Sequence, residues 1–103
     1  MDILDNLSDP NLSVSVVAAR QRVTPRYVHM LFEGEGATFS EYVVGERLMR
    51  ARRMLSDPRF AGRAIGTIAL TVGFSDLSYF NRTFRRRFGM TPSDVRAAAR
   101  PGD

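Results

Sequence analysis

The sequence predicts an all-α protein: two helix-turn-helix units joined by a long linker helix, about seven helices in all. Three observations predict it. Strand-like alternation is absent along the 103 residues, and turn residues separate the apolar-periodic segments. The segment starts carry helix-capping signals rather than hairpin turns. A helix, a tight turn and a second helix also occur twice, at a shift of 51 residues that becomes 52 after one insertion.

The elements follow in order. A short first helix is expected near Asp2–Leu7, with Ile3, Leu4 and Leu7 on one face and "SDPN" ending it. Ser13–Gln21 carries Val14, Val17 and Ala18 at helical spacing. Thr24 reads as an N-cap and Pro25 as a first helical residue, ahead of an apolar core stripe of Tyr27, Val28, Leu31 and Phe32. "EGEGA" breaks that helix. Thr38 with Glu41 three residues later has the form of a capping box. The helix it opens runs to about Leu55, with Val44, Leu48, Ala51 and Leu55 on one face, and its ~17 residues make a rod of roughly 25 Å. "SDPRFAG" is expected to be a loop. Ala64–Val72 is a further short helix, stopped by Gly73. Ser75 or Asp76 caps the next helix, which Gly89 ends. Thr91 and Pro92 open a last helix to about Ala99, and "RPGD" is expected to fray. The chain therefore divides into a first unit (residues 1–37), a linker helix (38–56) and a second unit (57–103).

A chain of this size buries roughly 65% of the surface its unfolded form exposes, enough for a core without staples. It holds no cysteine and a single histidine, His29, which excludes disulfides, thiol nucleophiles and Cys- or multi-His metal sites. No metal, cofactor or catalytic residue is expected. "MDILDNL" does not read as a signal peptide, and no run approaches the ~18 apolar residues of a membrane span. A cytoplasmic, nucleoid-associated location and no membrane partner are the expectation.

The net charge of +4 is unevenly placed. Through Glu46 there are three arginines against seven carboxylates; from Arg47 onward, twelve against four. All fifteen basic residues are arginine, whose planar fork suits phosphate and guanine. A GC-rich coding bias is an equal explanation for the missing lysines, but not for the lopsided distribution.

In the repeat, Val14, Val17, Ala18, Val23 and Thr24 fall on Ile65, Ile68, Ala69, Phe74 and Ser75, and Val28 and Phe32 fall on Phe80 and Phe84. A small Ala five residues before an apolar turn residue is the helix-turn-helix pattern. The Ala lets the two helices approach, and Val23 or Phe74 plugs the gap between them. The bland alternative is a generic helical bundle with a chance repeat; two copies in register around a rod weigh against it.

The outward faces carry the chemistry. In the second copy Phe80, Phe84 and Phe88 line the core at i, i+4 and i+8, leaving Ser78, Asn81, Arg82 and Arg85 opposite, with Arg86 beside them. Asn suits adenine, Arg guanine and Ser either, while Arg85 and Arg86 further along suit phosphate. In the first copy the outward set is Arg26, His29, Met30 and Glu33, poorer in such groups and with a carboxylate that repels phosphate. The candidate base contacts are Arg26, His29, Met30, Leu77, Ser78, Asn81 and Arg82; the candidate phosphate contacts are Thr24, Tyr79, Arg85 and Arg86. The plainer reading of each face is a solvated polar surface. Arg50 and Arg53 of "RLMRARR" are expected on the wet side of the linker helix, solvated, paired with acids or meeting phosphates.

The stretch "IGTIALTVGFSDLSYFNRTFRRRFGMTPSDVR" resembles the C-terminal signature of AraC-type (AraC/XylS) transcription regulators, with the strongest matches at Ile68–Ala69, Gly73–Phe74, Tyr79–Phe80, Arg82, Phe84, Phe88–Gly89 and Thr91–Pro92. "VTPRYVHMLFEGEGATFSEYVVGERLMRARRML" resembles the first unit and linker of the same domain. The resemblance implies two recognition helices in successive major grooves of double-stranded DNA, an activator that also touches RNA polymerase, and an effector-binding or dimerisation domain that this chain lacks. A fragment of a longer regulator is expected; a natural start codon at Met1 would contradict that. The sequence departs from the family where Arg22 replaces a common turn Gly, where Met30 replaces a common Arg, and at Gly66 within a helix. A second function class is a helix-turn-helix used as a protein-interaction module, weakly supported by the acidic first half. An enzyme is disfavoured by the absence of Cys, of a phosphate-binding glycine loop and of clustered carboxylates.

Overall fold

Each longer helix starts where a short polar side chain can take an otherwise unpaired backbone N–H. Ser13 Oγ accepts from the Val16 N–H at 3.2 Å, and Thr24 Oγ1 from the Tyr27 N–H at 3.1 Å. Thr38 and Glu41 exchange side-chain-to-backbone bonds of 3.1 Å each, the expected capping box. Asp76, rather than Ser75, caps the next long helix by accepting from the Tyr79 N–H at 3.1 Å. Thr91 and Asp94 form a second box. The Thr38 N–H holds the Glu41 carboxyl below its ordinary value, and the Thr91 N–H does the same for Asp94.

The structure is a computed structural model that describes residues 2–34 and 36–99; the fraying expected of "RPGD" concerns residues 100–103, outside that range. The described residues form α1 (Asp2–Asp5), α2 (Val14–Gln21), α3 (Pro25–Glu33), α4 (Phe39–Leu55), α5 (Ile65–Thr71), α6 (Leu77–Phe88) and α7 (Pro92–Ala98), with no strand among them. The molecule is elongated, 51 × 23 × 22 Å, because it has two cores rather than one. Ile3, Leu7, Leu12, Val17, Ala18 and Val28 meet Phe39 and Val43 of α4 in the first. Leu48, Ala51 and Leu55 of the same helix meet Ile68, Ala69, Phe74, Phe80, Phe84 and Val95 in the second. The boundary between cores therefore falls within α4.

Both copies of the repeat close in the same way. The Val23 N–H donates to Ala18 O, and the Phe74 N–H to Ala69 O, each at 2.9 Å. Just before these closures, Arg22 (φ 57°) and Gly73 (φ 115°) both take left-handed backbone. The second turn is one residue longer, and the extra residue enters before the cap, so Thr24 corresponds to Asp76 and not to Ser75.

Four expectations need correction. The first helix stops at Asp5 rather than Leu7 and passes into a turn in which the Asn6 N–H donates to Ile3 O at 3.2 Å. Arg50 Nη2 donates to Leu4 O at 2.6 Å, and Arg47 Nε to Leu7 O at 2.8 Å. Arg50 is thus half-buried and bonded to α1, not on a wet face; Arg53 is exposed as expected. "SDPRFAG" contains a 3₁₀ turn, Pro58–Phe60, capped by Asp57. The α3 stripe is only partly core. Val28 is buried and Phe32 half-buried, edge-on to Phe39 at 5.7 Å, but Tyr27 is 48% and Leu31 57% exposed. The nine-residue α3 packs chiefly on α2 and the start of α4, so its apolar arc is wider than the core it covers.

Two stability outcomes follow. Phe84 is fully buried, so Phe84→Ala should lower unfolding free energy in urea by ~3–5 kcal/mol. Arg22→Gly should raise it by ~0.5–1 kcal/mol, since it relieves a left-handed residue bearing Cβ at some cost in chain entropy. A Phe84→Ala chain of unchanged stability would remove Phe84 from the core.

Candidate nucleic-acid interface

Helix α6 is seated by a ladder of rings. Phe74 meets Phe80 at 5.0 Å between centroids, Phe80 meets Phe84 at 5.6 Å, and Phe84 meets Phe88 at 4.7 Å. Each contact is tilted or edge-on, the favoured geometry for aromatic pairs. With one face so held, the geometry of a helix obliges residues 78, 82 and 85 to point away. Ser78, Asn81, Arg82 and Arg85 are all exposed. Leu77, Asn81, Arg82 and Arg85 border a shallow groove whose other wall is Gly66 of α5 with Ser93 of α7 and its N-cap Thr91. Tyr79 and Arg86 lie on the other flank, along the cleft toward Ser40 and Glu41 of α4. The expected set is therefore a central row with two flanks, not one patch.

The arginines of the second half separate by environment. Arg87 packs its guanidinium over Gly45, where an added Cβ would lie 3.3 Å from Nη1. Arg52 sits over the Phe88 ring at 4.9 Å. Arg59 pairs with Asp57 at 2.6 Å, and Arg96 donates to Phe60 O and Arg63 O. Arg82 and Arg86 make no hydrogen bond or ion pair among the described residues and remain available to a ligand. Arg85 lies within electrostatic reach of Asp94. Arg85, Arg86 and Arg87 also occupy the last turn of α6, where cations complement the helix dipole.

In the first unit, Arg26, His29 and Met30 are exposed on α3, Met30 to 54%, with Glu33 exposed at the end of the helix. Thr24 caps the helix through its oxygen, which leaves the hydroxyl proton free to donate outward. The α3 and α6 residues belong to different units, with separate cores.

One buried charged group was not singled out from the sequence. Arg47 is 9% exposed, with Nε on Leu7 O and Nη2 on Asp9 O, both at 2.8 Å. Burial lowers its guanidinium from the ordinary value, and Asp9 pulls the other way. The signal was in the register: Val43, Arg47, Ala51 and Leu55 recur every four residues along the buried face of α4.

Among the described residues, no group of three or more His, Cys, Asp or Glu could hold a metal ion, and no helix is long and apolar enough to cross a membrane. A family model described as a helix-turn-helix domain matches residues 7–98. The transcriptional activator RhrA of Rhizobium meliloti is 46% identical over 99 residues, covering 96% of this chain and 31% of that protein. The arabinose operon regulatory protein of Escherichia coli is 32% identical over 96 residues, covering 92% of this chain and 32% of that one. The chain thus spans about a third of the length of these curated relatives. Among solved structures, a transcriptional regulator from Chromobacterium violaceum, described by its AraC-type DNA-binding domain, superposes with a TM-score of 0.83 at 31% identity, covering 98% of this chain and 88% of that one. The C-terminal domain of the response regulator AraT from Geobacillus stearothermophilus gives 0.80 at 26% identity, covering 93% and 78%.

Proposed function

The chain belongs to the AraC-type helix-turn-helix family and is a DNA-binding transcription regulator rather than an enzyme, and we propose that it reads DNA by placing α3 and α6 in successive major grooves. The observation that carries this reading is the exposed row Ser78, Asn81 and Arg82, held outward by the buried Phe80 and Phe84. Arg82 is assigned to a guanine edge, Asn81 to an adenine edge and Ser78 to either, with Leu77 against a thymine methyl. Arg85 and Arg86 hold phosphate on either side of that row, Tyr79 donates its hydroxyl to a phosphate on the α4 flank, and Thr24 does so for the first unit.

The first unit contributes Arg26, His29 and Met30, with Met30 limited to apolar contact and Glu33 ending the approach to the backbone. Its share of the affinity is the smaller one. Residues 1–37 and 57–103 act as two readers, and residues 38–56 set their separation. Activation, contact with RNA polymerase, a further effector-binding or dimerisation domain and a cytoplasmic, nucleoid-associated location belong to the same proposal. It is supported by relatives named as activators and about three times as long. A protein-interaction module is the alternative, favoured by the exposed Tyr27 and Leu31.

Titration of a selected DNA site at several salt concentrations separates the two. Affinity should fall steeply with salt, and Arg85→Ala should weaken every sequence alike while reducing the log–log slope by about 1. Arg82→Ala should cost ~1–3 kcal/mol and relax base choice at one position. Equal weakening on all sequences would move Arg82 to the phosphate set, and binding indifferent to salt would favour the protein-interaction reading.

A further inference from the structure

We propose that Arg47 is a positioning residue for DNA binding: its buried guanidinium fixes the angle between the two helix-turn-helix units, and so the spacing of half-sites that the protein accepts. The inference rests on the two-groove reading above.

The units have separate cores, and no substantial helix packing joins α1–α3 directly to α5–α7. They communicate through α4, through what its side chains touch on both sides, and through the close approach of Gly73 to Leu7 O. Arg47 projects from α4 at the boundary between the cores. On one side it donates to Leu7 O and Asp9 O, the segment that leads into α2. On the other side lies Gly73, in the turn that leads into α6. A Cβ at Gly73 would overlap both Leu7 O and Arg47 Nε. The entrance of the first unit, the guanidinium and the reader turn of the second unit therefore form one stack with no room to shift. Gly73 is followed directly by the buried Phe74 and, three residues after Gly73, by the cap Asp76, so displacement of the stack moves the start of α6.

Arginine suits this position for a physical reason. Its flat fork spans two carbonyl oxygens and still lies against a glycine backbone, whereas an ammonium offers one point and a larger hydration shell. Removing the group leaves Leu7 O without a donor and Asp9 O with the Leu12 N–H alone, and frees the units to pivot about α4. Each reader would remain intact. The gain that comes from presenting both in the right register would be lost, because a linked second contact strengthens binding only where the geometry lets both engage.

The test uses three DNA duplexes built on a site selected from a random pool: the full site, the same site with two base pairs inserted between its halves, and the half bound by α6 alone. Affinity is measured by fluorescence anisotropy for the native chain, Arg47→Met and Arg47→Lys. The native chain should prefer the full site to the half-site by about 100-fold and should lose most of that preference on insertion. Arg47→Met should lose about 10-fold or more of the preference while binding the half-site within about 3-fold of native, and should distinguish the inserted site less sharply. Arg47→Lys should fall between. Because each value is a ratio for one protein, a reduced folded fraction cancels. An unchanged preference in Arg47→Met, or a uniform loss on all three duplexes in both variants, including loss of folding by circular dichroism, overturns the proposal. A native chain without preference for the full site overturns the two-groove reading, and this inference with it.

Discussion

Helix α4 has to serve two cores with one surface, and most of the structure follows from how it does so. Phe39 and Val43 are buried in the first core, and Leu48, Ala51 and Leu55 in the second. A purely apolar stripe would continue through residue 47, but there the two cores part and backbone carbonyls crowd in. An arginine fills the step. Its polar end supplies the donor for the buried Leu7 O and a second one for Asp9 O, which also accepts from the Leu12 N–H, and its flat face lets Gly73 approach. Breaking such an arrangement by truncating one partner costs more than the bonds themselves, because the other partners stay buried.

The same economy governs the remaining arginines. A chain with fifteen of them reads as a broad basic surface, yet many serve packing. Arg50 anchors α1, Arg52 and Arg87 cover the α4–α6 contact, and Arg96 ties α7 to the loop after α4. What remains outward on α6 is Arg82, Arg85 and Arg86, spaced along one helix and seated by buried phenylalanines. Specific recognition needs fixed groups more than many groups, since a flexible cation adds affinity for any phosphate but discriminates no base.

Much of this was legible in the sequence. Caps at Thr24, Thr38 and Thr91 gave three helix starts to within a residue or two, because an N-cap is a local chemical requirement. The repeat exposed both turns, because a small Ala and an apolar plug are demanded by close helix approach wherever it occurs. The errors lie where contact is non-local. Arg50 sits on a helix whose periodicity says "outside", and only the placement of Leu4 O makes it an inside group. Tyr27 and Leu31 keep perfect helical spacing but face a partner surface too small to cover them. Arg47 stands in the buried register of α4, but its partners, Leu7 O and Asp9 O, lie 40 and 38 residues away in sequence.

The central claim is that one rigid frame presents two readers to one face of DNA, with most of the reading done by α6. Hydroxyl-radical footprinting with guanine-methylation interference on a selected site addresses it most directly. The account expects two protected patches on the same face of the duplex, about one helical turn (~10 base pairs) apart, with the strongest interference at guanines in the major groove facing α6. A single protected patch, or two patches half a turn apart on opposite faces, would contradict it.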